Sequence, residues 1–130
     1  MRILVDGSNV LFWRGGCAQA EVPALVVRAL IARRFAPVLY FDNSIQRHLT
    51  QEHLARLASL APQIIAPAGT SADAMLLGAC DTGRLQIVSA DRFRGWRRQY
   101  PSLRNDWLVT GRIEKGGGVN FSKKLKSAPL

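Results

Sequence analysis

Apolar residues fall along this chain in short unbroken runs separated by amphipathic stretches. Ile3-Leu4-Val5 runs into Asp6, Val38-Leu39-Tyr40-Phe41 into Asp42, and Ile87-Val88-Ser89-Ala90 into Asp91. Runs this short, rich in Val, Ile and aromatics and closed by a turn residue, read as buried strands. The pattern predicts strands over 2–5, 38–41 and 85–89, with further strands at 63–66 and 107–110.

The intervening stretches have helical spacing. Glu21-Val22-Pro23 opens a helix whose apolar face is Leu25, Val26, Ala29, Leu30 and Ala32, with Arg28, Arg33 and Arg34 outside and Pro37 ending it. Thr50 caps a helix over 51–60 that Pro62 stops, and Ser71 caps one over 72–81 that ends at Gly83. A short basic helix is expected near 92–99, before Pro101. Asp6 to Asn9 reads as a turn, and Lys115 to Gly118 as a flexible turn before a basic tail. Strands alternating with helices predict an α/β fold, a three-layer sandwich with a mostly parallel central sheet of about four to five strands.

Charge sharpens the picture. The 130 residues carry 18 Lys and Arg against 9 Asp and Glu, a net charge of +9, and 14 of the 18 are arginine. Excess arginine suits a polyanionic partner, with nucleic acid first. Cys17 and Cys80 form neither a disulfide framework nor a CxxC pair. The chain opens directly on a strand without a signal-peptide pattern, and no segment approaches the roughly 20 apolar residues of a membrane span. A cytoplasmic, membrane-free protein is expected.

The three aspartates after strands then gain meaning. In a parallel sheet the carboxyl ends of the strands share one edge, where open α/β sheets bind ligands. Asp73, in the first turn of the helix after the 63–66 strand, enters at that edge too. Singly, each acid has an ordinary role: Asp6 in a turn, Asp73 at a helix start, Asp91 as an N-cap, Asp42 in an Asx turn. Together, in a basic protein, Asp6, Asp42, Asp73 and Asp91 point to a hard divalent cation, Mg²⁺ or Mn²⁺, held by oxygen ligands. There is no GxGxxG, no Walker A sequence, no GxSxG elbow and no Cys–His pairing. His48 and His53 lie on a predicted surface without a catalytic partner.

Arg92, Arg94, Arg97 and Arg98 follow Asp91 directly, and Lys123, Lys124 and Lys126 form the tail. These are the candidate contacts for the phosphates of a nucleic acid. Trp96 or Trp13 is placed to stack on an unpaired base, with core packing the alternative for Trp96.

Two blocks resemble a known family. Val5-Asp6-Gly7-Ser8-Asn9-Val10 is similar to the opening motif of the PIN-like NYN ribonucleases, especially the Regnase branch. Ala72-Asp73-Ala74-Met75-Leu76, followed by Ile87-Val88-Ser89-Ala90-Asp91-Arg92-Phe93, resembles that branch's later block. The resemblance implies a PIN-like, Rossmannoid nuclease domain over 1–114, with 115–130 a Gly-rich turn and basic tail of the same domain. It implies that Asp6, Asp73 and Asp91 hold the metal and that Asn9 orients Asp6 or the substrate by hydrogen bonds. The implied activity is metal-dependent endoribonucleolytic cleavage to 5′-phosphate and 3′-hydroxyl ends. Its substrate is RNA in single-stranded or loop regions; a homodimer is compatible with the sequence. One departure stands out: Ala72 occupies the place of the family's first acid of a pair, so the site either binds metal more weakly or uses Asp42 in compensation. The rival readings are a non-catalytic RNA-binding module with a degenerate acidic site, and a DNA or tRNA nuclease on the same fold.

Overall fold

The computed structural model describes residues 1–125. Five parallel strands form the central sheet: β1 (Arg2–Asp6), β2 (Ala36–Phe41), β3 (Gln63–Ile65), β4 (Ile87–Val88) and β5 (Leu108–Val109), in the spatial order β3-β2-β1-β4-β5. The helices are α1 (Gly7–Val10), α2 (Glu21–Ala32), α3 (Gln51–Ala58) and α4 (Ala72–Gly83). Among the described residues no helix is long and apolar enough to cross a membrane.

The pleat divides the strands between two cores. Ile3, Val5, Leu39, Phe41 and Val88 face one side, against Val10 of α1, Val22, Val26, Val27 and Leu30 of α2, and Leu54 and Leu57 of α3. Leu4, Tyr40, Ile87 and Leu108 face the other, against Leu76, Leu77 and Cys80 of α4 together with Phe93 and Leu103. The result is the expected three-layer sandwich. The same alternation matters for chemistry, because Asp6 lies two residues past Leu4 and so points to the face that α4 covers.

Several boundaries differ from the sequence reading. Pro37 does not end α2; it lies inside β2. The helix ends earlier, where Arg34 takes a left-handed φ of 68° and Phe35 N–H returns to the Leu30 carbonyl at 3.0 Å. Pro37 is tolerated because β3 pairs only with Leu39–Phe41, so no β3 acceptor waits for the missing N–H. The basic helix expected near 92–99 is a single 3-10 turn, Arg94–Trp96. Asp91 Oδ1 accepts the Phe93 N–H at 2.8 Å, and Phe93 sits at φ 52° with its ring buried, so the chain cannot wind into an α-helix there.

The turn after β1 is a short helix, α1, capped by Asp6. His53 belongs to the capping box of α3, accepting the Thr50 N–H on Nδ1 at 3.2 Å.

The glycine-rich segment is a turn, as the sequence predicts, and it closes an antiparallel hairpin, β6 (Gly111–Ile113) with β7 (Val119–Phe121). Gly117 supplies the positive φ of 92° that this turn needs. Val119 is buried, and the Arg33 guanidinium lies 5.1 Å from the Phe121 ring centroid. The hairpin therefore packs on α2. Lys126 lies outside the described residues.

Candidate active site

The Asp6-Gly7-Ser8-Asn9 segment ties three strand ends together, one residue at a time. Asp6 is 5% exposed at the end of β1. Its Oδ2 accepts the Ser89 hydroxyl at 2.9 Å and its Oδ1 the Asn9 N–H at 3.3 Å. Gly7 has no room for a side chain: a Cβ there would lie 2.4 Å from Phe41 Cε1. Ser8 Oγ accepts the Asp42 N–H at 2.9 Å, holding the end of β2. Asn9 Oδ1 accepts the Ala90 N–H at 2.8 Å and the Trp13 indole N–H at 2.9 Å, holding the loop after β4.

Around this frame the acids gather on one edge, with unequal burial. Asp73 is half-buried in the first turn of α4, and Asp91 is exposed after β4. Asp6 feels the charges of both, and Asp73 feels those of Asp91 and Asp42. Burial pushes Asp6 up to about 6, with the neighbouring charges adding to it and the hydrogen bonds from Ser89 and Asn9 opposing it. Asp73 is raised chiefly by burial and then by Asp91, while a hydrogen bond from the Trp96 side chain pulls the other way.

None of the four acids forms an ion pair among the described residues; the three ion pairs there are Arg14–Glu21, Arg56–Glu52 and Arg112–Glu114. Nor is any group of three or more His, Cys, Asp or Glu side chains gathered among those residues into a set that could hold a metal ion by itself.

Asp42 stands slightly apart. Its Oδ1 accepts the Ala72 N–H at 3.2 Å, so it caps the start of α4 from another strand. Ala72 is 2% exposed, so an acid in its place would start from a buried position.

The candidate phosphate contacts divide in two. Arg92, Arg94 and Arg98 are exposed, and their guanidiniums have no partner among the described residues. Arg97 is committed to the protein: it donates to the Leu103 carbonyl at 3.1 Å, the Arg92 carbonyl at 3.1 Å and Asn105 Oδ1 at 3.2 Å. Lys123 donates to the Asn105 carbonyl at 2.7 Å, whereas Lys124 is exposed.

Sequence reasoning missed Ser8 and Ser89 as partners of the site. Strand parity could have found Ser89, which lies two residues past Ile87 and so on the same face as Asp6. It also offered both tryptophans for stacking, with core packing the alternative for Trp96. Their rings are partly buried against the two cores; the Trp13 indole N–H is held by Asn9 Oδ1, and the Trp96 side chain favours the charged form of Asp73.

No protein-family model and no curated protein matches the chain. Two solved structures of nuclear protein-only RNase P 2 (PRORP2) from Arabidopsis thaliana are similar to it. Each covers 97% of this chain with a TM-score of 0.73, at 17% and 16% sequence identity. The chain spans about 30% of the length of those proteins. At that identity the likeness speaks to architecture: five parallel strands between helices, in the PIN-like α/β fold.

Proposed function

We propose that this chain is a metal-dependent endoribonuclease of the NYN type, with a site resembling the Regnase branch. The observation that carries the reading is Asp6: a carboxylate buried at the sheet's carboxyl edge, in the field of Asp73 and Asp91, with no basic side chain among the described residues paired to any of them. Burying like charges together is costly unless a cation offsets them. The oxygen-only donors suit Mg²⁺ or Mn²⁺. Mg²⁺ takes one or two carboxylates, keeps several waters and completes its coordination from a phosphate, so an open site fits it better than a closed cage. Such an ion, when bound, supplies Lewis-acid polarisation of a phosphodiester and lowers the pKa of water at neutral pH.

The chain's own residues do the rest. Ser89 and Asn9 fix the orientation of the Asp6 carboxylate, and Asn9 also fixes the backbone that presents Asp91. Arg92, Arg94 and Arg98 hold phosphates beside the scissile bond. RNA is the favoured substrate because of the similarity to a protein named as an RNase P and the arginine-rich surface. The products are 5′-phosphate and 3′-hydroxyl ends. The test is cleavage of an RNA panel by wild type and Asp6→Asn, with added Mg²⁺ or Mn²⁺ and with EDTA.

A second reading, a non-catalytic RNA-binding module, is favoured by one observation: Ala72 removes an acid, and Asp42 is engaged in capping α4. Calorimetric titration with Mn²⁺ separates the two, since the binding module takes up no ion at Asp6.

A further inference from the structure

The edge of the sheet opposite Asp6, where the parallel strands begin, has a different chemistry. Between α4 and the segment that leads into β5 lies a cavity of about 450 Å³. That is within the roughly 300–1,000 Å³ typical of small-ligand pockets. Tyr100 and Trp107 provide aromatic walls, and Leu103 contributes apolar floor. Arg84 and Arg104 stand at the rim, both exposed and without a side-chain partner among the described residues. Asp81 and Asp106 line it too, and Asp81 Oδ1 accepts the Ser102 hydroxyl at 2.7 Å.

Two features favour a built site over an accidental gap. Arg84 ends α4 with φ 52° and ψ 51°, a left-handed conformation that suits glycine, and Gly83 is the residue just before it. A strained, bulky cation at a cavity rim is the kind of outlier that points to binding. The lining also balances two cations against two carboxylates. That suits a ligand carrying both a phosphate and base N–H donors better than a long polyanion. Aromatic faces for a base, arginines for its phosphate and carboxylates for its edge are the groups that recognise an unstacked nucleotide.

We propose that this cavity binds a single unstacked nucleotide. Its base packs against Tyr100 and Trp107, Arg84 and Arg104 take the phosphate, and Asp81 or Asp106 accepts from the base edge. The nucleotide is either free or splayed from an RNA; the second source rests on the proposed function. Asp73 and Arg84 stand at opposite ends of α4, about 16 Å apart at 1.5 Å per residue. The ring centroids of Tyr100 and Trp96 are 6.5 Å apart, and the Trp96 side chain favours the charged form of Asp73. One RNA strand can therefore occupy the cavity and still reach the acidic edge.

NMR titration tests this, using wild type with the four nucleoside 5′-monophosphates and Asp6→Asn with a single-stranded RNA decamer. Saturable shifts are expected at the amides of Tyr100, of residues 102–107 and of the last turn of α4. Arg84→Gln combined with Arg104→Gln should weaken binding by about tenfold or more. Arg84→Gly should relieve the left-handed strain, raising Tm by about 4 °C while still weakening binding, which separates a ligand role from a folding role. If the decamer displaces the mononucleotide, the source is RNA; if it does not, the site takes a free nucleotide. Either result supports the cavity as the site. Shifts confined to the acidic edge, or affinity unchanged in both arginine variants, would overturn the proposal. Binding is read without turnover, so a chain that binds here but never cleaves RNA contradicts the proposed activity and leaves this site standing.

Discussion

Ser89 and Asp6, 83 positions apart in sequence, meet through a 2.9 Å hydrogen bond from the serine hydroxyl to Asp6 Oδ2. Both are nearly excluded from solvent, at 2% and 5% exposure. The bond joins the ends of β1 and β4 and fixes the direction of the buried carboxylate. Ser89 Oγ also accepts the Asp91 N–H at 3.0 Å, so one hydroxyl serves two of the acids. Ser89→Ala should cost about 1–3 kcal/mol, because it leaves a buried acceptor unmatched. Urea unfolding of the purified variant measures this. A midpoint equal to wild type would mean that Asp6 does not depend on Ser89.

Stability should also depend on pH in an unusual direction. The folded protein holds the Asp6 proton up to about pH 6, while the unfolded chain releases it near 3.8. Between those values unfolding releases a proton, so metal-free stability should fall as pH rises from 3.8 to about 6 and then level off. The loss is at most roughly 3 kcal/mol. Asp6→Asn should reduce this slope to the part that the raised Asp73 contributes, and make the metal-free protein more stable at pH 7. Mn²⁺ should raise the Tm of wild type above pH 6 and leave Asp6→Asn unmoved. Thermal melts from pH 4 to 8, with and without Mn²⁺, give all of these comparisons; a flat wild-type profile would count against a buried, protonatable Asp6.

The position that departs from the Regnase pattern behaves differently in three dimensions than in sequence. An added acid at residue 72 looks restorative on paper, but Ala72 is buried and its N–H is already bonded to Asp42. Ala72→Asp should therefore destabilise the metal-free fold by several kcal/mol, since it buries another carboxylate beside Asp42. Asp42→Ala should cost about 1 kcal/mol through the lost cap on α4. Calorimetric melts check both. A stable Ala72→Asp protein with tighter Mn²⁺ binding would show that the site accepts a further ligand there.

Much of this arrangement was legible in the sequence because it rests on local signals. Apolar runs ending in acids marked β1, β2 and β4, and alternation with helices marked the parallel sheet. Period-two parity, the local signal that places Ser89 on the Asp6 face, was left unused. What escaped detection was set by tertiary contacts. Pro37 looked like a helix stop, yet it fits in β2 because β3 is short. Residues 92–99 had a helical composition, but the Asp91 carboxylate captured the Phe93 N–H and burial of the Phe93 ring fixed a left-handed turn. The glycine run looked like a loose tether, and the antiparallel pairing of β6 with β7 around it, with Val119 buried, shows that it is a hairpin turn.

The arginines after Asp91 divide between holding the fold and facing solvent. Arg97 acts as a clamp on the loop after β4, so Arg97→Ala should lower stability by about 1–3 kcal/mol. Arg94 and Arg98 are exposed and free of partners among the described residues, so Arg94→Ala with Arg98→Ala should leave stability within about 0.5 kcal/mol. The same pair should reduce the log–log salt slope of single-strand binding by about 1.4, or about 0.7 per phosphate contact. Fluorescence anisotropy across a salt series measures the slope. An unchanged slope would make these arginines a solvated face.

The most direct measurement is cleavage itself. Wild type and Asp6→Asn are compared on single-stranded, duplex and looped RNA, with Mg²⁺ or Mn²⁺ and with excess EDTA, and product ends are identified by mass spectrometry. Wild type should cut internal bonds to leave 5′-phosphate and 3′-hydroxyl ends, lose that activity in EDTA and regain it with Mn²⁺. Asp6→Asn should be folded, more stable and inactive. Cleavage by Asp6→Asn at the wild-type rate, or wild-type cleavage that persists in EDTA, would contradict a metal-dependent site centred on Asp6.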